Sequence, residues 1–343
     1  MSAGTVQGLL ARFPKARLLV VGDLILDEFV WGQVSRISPE APVPIVWVQR
    51  ESVMPGGASN VANNVRALGG QVAVVGAGGQ DRWGDALLDE LAVRGIDTSG
   101  VIRDARPTTV KTRVIAHHQQ VVRVDREQPD PLQATAGRRL RQAVLDRLPS
   151  VDAVIIEDYG KGVITAELLS AIIPAARRLK KLITVDPKEE HVELYRGVTS
   201  LTPNRQEAGR MVGRDLKRDE DLSWAGSEIL RRLQCDAVLI TLGEGGMWLF
   251  EQGGRQTRIP TVAQEVFDVA GAGDTVIATY TLALASGAPM AHAARLANHA
   301  AGIVVGKLGV AVTTPQELQA AIDGKPRSSA RRASRHAGSS RRG

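Results

Sequence analysis

Val266-Phe267-Asp268-Val269-Ala270-Gly271-Ala272-Gly273-Asp274-Thr275-Val276 reads as the end of a β-strand, a glycine turn, and a helix that begins almost inside that turn. A Gly-Ala-Gly run lets the backbone pass close to a ligand, and successive amides at a helix start make a concavity for an anion. Asp274 follows directly behind those amides. A carboxylate is disfavoured beside a bound anion unless it has a task there, such as taking a proton from an attacking hydroxyl. The stretch points to phosphoryl transfer to an alcohol. A lone Gly-x-Gly-Asp is equally met by a plain helix start with Asp as dipole partner, so its meaning depends on the rest of the chain.

Working outward, the chain alternates strand and helix. Arg17 to Gly22 is a buried strand of the parallel-sheet kind, and Val72–Val75, Ala153–Ile156, Leu182–Val185, Ser200–Thr202 and Ala237–Leu242 follow, with helices around 86–93, 166–180 and from Asn204 between them. Repeated β-α units with short connections predict one central parallel sheet covered by helices on both faces. Chemistry then belongs along one rim, and polar clusters do follow the strand ends: Asp27, Glu157-Asp158-Tyr159, Asp186-Pro187-Lys188, Asn204 to Glu207, Thr241-Leu242-Gly243 and Asp274. Asp27 in isolation reads equally as a turn residue. Two proline-rich or alternating pieces, about 28–52 and 108–126, fit a small β-sheet lid outside the main sheet. Lys111, Arg113 and Arg123 on it are cations such a lid can aim at a phosphorylated substrate, or ordinary solvent-facing strand charges.

Gly56-Gly57 opens a helix in which Asn60, Asn63 and Asn64 interleave with the apolar stripe Val61, Val65, Leu68. Asparagine costs helix propensity, and capping explains at most one, so sugar hydroxyls are a natural partner. Asn204 and Glu207, three apart at a helix start, suit magnesium near nucleotide phosphates, and equally a capping box. Gly243-Glu244-Gly245-Gly246 lets a nucleotide approach the backbone. Gly302 to Leu308 is one residue short of a P-loop and lacks its Ser/Thr. The adjacent His117-His118, and His292 with His299, lack further ligands at zinc spacing.

Composition narrows the rest. The 343 residues are 43% hydrophobic and 23% charged, enough for one large core or two modest ones. No apolar run spans a bilayer and Met1 to Phe13 lacks a signal-peptide pattern, so a cytoplasmic location with no membrane partner is expected. Cys235, the sole cysteine, sits beside an apolar run and reads as a small core side chain. The pI of about 9.7 misleads: beyond Asp323 lie seven Lys and Arg and no acid, and removing those seven from the net +6 leaves −1 for residues 1–323. Residues 325–343 are expected to be a basic disordered tail appended to one domain over 1–324, and nucleic acid is an expected partner only through that tail.

The constellation Gly56-Gly57-Ala58-Ser59-Asn60, Asn204-x-x-Glu207 and Asp268-Val269-Ala270-Gly271-Ala272-Gly273-Asp274 resembles the ribokinase (PfkB) family of carbohydrate kinases over residues 17–322. Ser35 to Pro44, Gln119 to Asp125, Asp158-Tyr159-Gly160-Lys161-Gly162 and Val305 to Gly309 are similar to its bacterial heptose-7-phosphate kinase branch. The resemblance implies a ribokinase-like fold and an ATP-dependent, magnesium-dependent kinase making D-glycero-β-D-manno-heptose 1,7-bisphosphate from the 7-phosphate, for ADP-heptose and lipopolysaccharide core synthesis. Asp274 is then the base, with the amides of Gly271, Ala272 and Gly273 as anion hole. Asp27, Gly56, Gly57 and Asn60 hold the sugar, Lys111 and Arg123 its 7-phosphate. Asn204 and Glu207 organise magnesium, and Lys188, Thr241, Gly243, Gly246 and Asn298 line the ATP site. A monovalent cation such as K+ and a homodimer through the lid are further implications. Ala270 departs from the family, which usually has Thr or a larger residue there. No His-x-Gly-His element occurs, which assigns adenylyl transfer to a separate nucleotidyltransferase. The alternatives are a kinase for another sugar, sugar phosphate or nucleoside, and a non-catalytic sugar- or RNA-binding scaffold. A dehydrogenase is disfavoured because no Gly-x-Gly-x-x-Gly follows the first strand.

Overall fold

The computed structural model describes residues 3–117, 119–263, 266–307 and 309–324. The basic tail, His118 and Leu308, on which some of the expectations above fall, lie outside the described residues. The strands are β1 (Arg17–Gly22), β2 (Leu24–Ile37), β3 (Pro44–Gly57), β4 (Gln71–Val75), β5 (Ala77–Gly79), β6 (Ile102–Asp104), β7 (Thr109–Ala116), β8 (Gln119–Arg126), β9 (Ala153–Glu157), β10 (Leu182–Asp186), β11 (Ser200–Leu201), β12 (Ala237–Thr241), β13 (Met247–Glu251) and β14 (Gln256–Ile259). The helices are α1 (Ala3–Leu10), α2 (Ala58–Ala67), α3 (Arg82–Val93), α4 (Ala134–Arg147), α5 (Ala166–Arg178), α6 (Arg205–Val212), α7 (Asp219–Leu233), α8 (Ala272–Ala285), α9 (Met290–Val304) and α10 (Pro315–Ile322).

Eight strands form the main sheet in the order β14-β13-β12-β11-β10-β9-β1-β4. β4 to β12 are parallel, with Val20 level with Val74 and Ile155. Alternate residues of the buried strands face opposite layers. Leu18 and Val20 join α2, α8 and α9 in one apolar core, whereas Leu19 and Val21 join α4, α5 and α7 in the other. The unbroken apolar runs Leu18–Val21 of β1 and Ala153–Ile156 of β9 are what a strand covered on both faces requires. Beyond the expected parallel sheet, β13 and β14 add an antiparallel edge. The link from β12 to β13 is only Leu242 to Gly246, too short for the crossover a parallel neighbour needs.

A single residue, Asp23, separates β1 from β2, so the chain leaves the main sheet at its carboxyl rim and enters a second sheet, β3-β2-β7-β8. This sheet is built from the two pieces expected to lie apart, the first reaching further than expected, from Leu24 to Gly57, and the second running from Thr109 to Arg126. Pro39 and Pro42 fall in the β2–β3 connection, where no ladder amide is lost. Asp27 lies level with Lys111 across the β2–β7 pair, and Lys111 with Asp125 across β7–β8. Asp27 therefore sits inside a strand, which removes its reading as a turn residue. β5 and β6 form a separate parallel pair. Cys235 is buried. Among the described residues no helix is long and apolar enough to cross a membrane.

Candidate active site

α8 begins at the carboxyl rim, under the turn from Asp268. Gly271 caps it with φ of +75°, a left-handed conformation, and a Cβ there would stand 2.8 Å from the Asn60 amide nitrogen. Both facts demand glycine. Asp268 accepts from the Ala270 amide (2.9 Å) and, through its other oxygen, from the Gly309 amide (3.2 Å), tying the turn to the segment after α9. Of the three amides assigned to the anion hole, that of Ala272 already donates to the Val269 carbonyl at 3.2 Å.

This turn is the shared wall of two cavities. The smaller, about 110 Å³, is lined by Asp27, Gly57, Asn60, Lys111, Arg113, Tyr159, Gly271 and Asp274 among others. The larger, about 470 Å³, is lined by Thr241, Gly243, Gly246, Ala272, Gly273 and Asn298 and by apolar Val266, Val269, Val276, Ala301 and Val305. A small polar chamber beside a larger, mostly apolar one is the division that a hydroxylated acceptor and a nucleotide require. Asn298 donates to the Pro260 carbonyl at 2.8 Å, so its amide supports the wall of the larger cavity.

Asp274 is buried. Its Oδ2 accepts from Asn60 Nδ2 at 2.6 Å and its Oδ1 from the Tyr159 hydroxyl at 3.0 Å. Burial raises its pKa to about 6, against the pull of those two donors. Asn64 is spent on packing instead of ligand: it donates to the Asn60 carbonyl and accepts from Thr275, joining α2 to α8. Asp27 accepts from Arg113 at 2.5 Å, and Gly56 leaves the room that the Asp27 carboxylate fills. Lys111 stands 5.6 Å from the centre of the Tyr159 ring, and burial lowers its pKa. A half-buried ammonium with no ion pair among the described residues is poised for an anion.

Five expected residues are not among those lining either cavity: Gly56, which packs behind the Asp27 carboxylate, and the four that follow. Arg123 lies on exposed β8, bound to Asp125 at 2.8 Å. Lys188 reaches towards Glu189 and Glu190. Asn204 and Glu207 form a capping box on α6: Asn204 accepts from the amides of Gln206 and Glu207, and Glu207 accepts from the Asn204 amide. That resolves the capping alternative without removing Glu207 from the rim, because its carboxylate is one of the charges acting on Asp186.

Sequence spacing gave no role to Glu157 and Asp186, which end β9 and β10. Oxygens of Glu157, Asp186 and Asp274 lie within 4.8 Å of one another. No donor reaches either buried oxygen of Glu157. Burial first, then repulsion from neighbouring carboxylates (Asp186 and Asp274 for Glu157, Glu207 and Asp274 for Asp186), pushes the pKa of both Glu157 and Asp186 well up. Hard oxygen donors crowded together, those of Glu157 without a hydrogen-bond donor, fit a magnesium ion. The only sequence signal was their position: an acid at the carboxyl end of each of two strands adjacent in the sheet.

A sequence profile described as pfkB family carbohydrate kinase matches residues 15–317. Among curated proteins, the chain is 45% identical over 94% of its length to a bifunctional protein HldE of Geotalea uraniireducens and 46% identical, over the same share, to that of Trichlorobacter lovleyi, and it covers 66% of each. It thus spans about two thirds of the length of these relatives. Among solved structures, phosphofructokinase-2 from Escherichia coli in complex with potassium superposes with a TM-score of 0.77 at 20% identity, over 90% of this chain and 98% of that one. Arabidopsis thaliana ribokinase complexed with ribose and ATP gives 0.72 at 20% identity, with the same coverages. The structural likeness shows the fold, ribokinase-like α/β.

Proposed function

The chain belongs to the pfkB family of carbohydrate kinases, phosphotransferases that use ATP and magnesium with an alcohol as acceptor, and on that premise we propose that its substrate is D-glycero-β-D-manno-heptose 7-phosphate, phosphorylated at C1. The observation that carries the chemistry is the α8 turn standing between the two cavities, with Asp274 facing the smaller one. The sugar occupies the small cavity against Asp27, Gly57 and Asn60, with Gly56 acting through the room it leaves for the Asp27 carboxylate, and the nucleotide occupies the large one against Thr241, Gly243, Gly246 and Asn298. Asp274 takes the proton of the C1 hydroxyl as that oxygen bonds to the γ-phosphorus, and the bond to the β-phosphate oxygen breaks to release ADP. The amides of Gly271 and Gly273 face the charge on the transferring group, and that of Ala272 joins them only if it leaves the Val269 carbonyl. Asp186 and Glu157, with Glu207 on the same rim, would hold magnesium, which would supply neutralisation of phosphate charge.

The heptose reading rests on the motif resemblance in the sequence and is supported by the identity to the HldE proteins and by the cations beside the small cavity. Lys111 is the nearer receiver for the 7-phosphate. Arg123 serves only if it leaves Asp125, and Lys188 serves the nucleotide only if it leaves Glu189 and Glu190. The product would pass to a nucleotidyltransferase, whichever chain carries that unit, on the way to ADP-heptose and lipopolysaccharide core. A homodimer through the second sheet is supported by its exposed apolar face, with Trp47 at 66% and Ile37 at 61% exposure. The potassium bound in the structure of the phosphofructokinase-2 neighbour supports a monovalent-cation requirement. The deciding experiment measures ADP release across a panel of heptose 7-phosphate, ribose, fructose and adenosine, with Asp274→Asn as control. No release with heptose 7-phosphate while another acceptor turns over well would refute the substrate.

A further inference from the structure

Aspartate's terminal torsion is broad and roughly two-fold, so one hydrogen bond leaves a carboxylate free to swing. Asp274 has two anchors, Asn60 on Oδ2 and the Tyr159 hydroxyl on Oδ1. A carboxylate offers about four acceptor positions, so an acceptor hydroxyl can still reach it. Tyr159 is delivered by the loop after β9, four of whose amides are taken by two buried acids. Asp23 Oδ2 accepts from Tyr159 N at 2.9 Å and Lys161 N at 3.0 Å, and its Oδ1 accepts from Val163 N at 3.1 Å. Asp158 accepts from Gly160 N at 2.9 Å and from the Tyr195 hydroxyl at 2.7 Å, and pairs with His191 Nδ1 at 2.7 Å. Asp23 itself donates its amide to the Glu157 carbonyl, fastening the end of β1 to the end of β9.

From this geometry we infer that Tyr159 is a positioning residue for Asp274, and that Asp23 acts on the reaction through Tyr159. A buried acid that accepts three amides of one loop fixes where that loop's side chain emerges, and the side chain emerging there touches the carboxylate that faces the acceptor. Lys111 over the ring holds the tyrosine face from the second sheet. The inference rests on the reading of Asp274 as the base.

The test is steady-state kinetics with ATP and heptose 7-phosphate, or with whichever sugar of the panel turns over if that one does not. Tyr159→Phe keeps the ring under Lys111 and removes only the hydroxyl. Its kcat should fall about tenfold, the scale of one hydrogen bond to a charged group, with both KM values within about twofold of the parent and the melting temperature unchanged. Asp23→Asn should lower kcat in the same direction, and the double variant should be no slower than the slower single variant, because both act on one element. Should Asp23→Asn fail to fold, Asp23→Ser, which keeps one acceptor without an opposing amide, replaces it. A kcat for Tyr159→Phe within twofold of the parent overturns the inference. So does a loss that appears in the sugar KM at constant kcat, and so do effects of the two substitutions that multiply. Asp274→Asn separates the premise from the inference: high activity in that variant refutes the base, whereas an inactive Asp274→Asn beside a normal Tyr159→Phe refutes only the positioning.

Discussion

Replacing Asp274 with Asn should damage turnover and stabilise the fold at the same time. The change keeps the side chain's shape. Its catalytic cost is the loss of a positioned base, typically 10²- to 10⁴-fold, or about 3–5 kcal/mol of transition-state stabilisation. The stability effect has the opposite sign. Burial raises the folded-state pKa of Asp274 from 3.8 to about 6, so the native state holds this proton more tightly than the unfolded chain does. Stability from the bound proton is therefore full below about pH 4 and lost as pH rises through 6. The difference, about two pKa units, amounts to roughly 3 kcal/mol at pH 7, which Asn escapes, less the cost of turning an amide towards the Asn60 donor. Melting curves in EDTA without nucleotide should place Asp274→Asn above the parent at pH 8, with the gap narrowing by pH 5. ADP release measured beside them should be at least a hundredfold slower. A variant that turns over within tenfold of the parent, or that melts lower at pH 8, would refute the picture of a buried, charged base.

Three further perturbations test other parts of the site. Gly271→Ala forces a Cβ into a left-handed turn against Asn60 and should cost about 1–2 kcal/mol of stability in thermal melts together with most of kcat; unaltered kinetics would show that the turn is not under constraint. Glu157→Gln removes one charge from the crowded carboxylates and should raise the melting temperature in EDTA while increasing the magnesium needed for half-maximal activity several-fold, a requirement that stays constant if the cation sits elsewhere. Trp47→Glu places a charge on the exposed apolar face of the second sheet and should yield monomers by sedimentation velocity; an unchanged sedimentation coefficient rules out a dimer through that face.

Much of the site was legible because its signals are local. A Gly-Ala-Gly-Asp turn, an Asn in a helix start and a Thr-x-Gly loop each express backbone or hydrogen-bond requirements that nearby residues satisfy, and Asp274, Asn60, Thr241 and Gly243 do line the two cavities. Arg123 and Lys188 were less legible, since alternation tells which face of a strand a cation takes but not which acid captures it. Asp125, two residues along the same strand, holds Arg123, and the acids after Asp186-Pro187 hold Lys188. The asparagines of α2 divided in the same way, one to the carboxylate and one to helix packing.

By itself the sequence determined the parallel α/β layering, since fully apolar strands alternating with amphipathic helices have no other way to be covered on both faces. It also determined the phosphate turn and the rim on which polar residues collect. Tertiary structure alone decided which groups meet. The pairing of Glu157 with Asp186 depends on β9 lying beside β10, the approach of Tyr159 to Asp274 spans 115 residues, and the capture of the Tyr159 loop by Asp23 spans more. These contacts come from sheet order and strand register, which are set by packing over the whole chain and leave no mark in the spacing of any one segment.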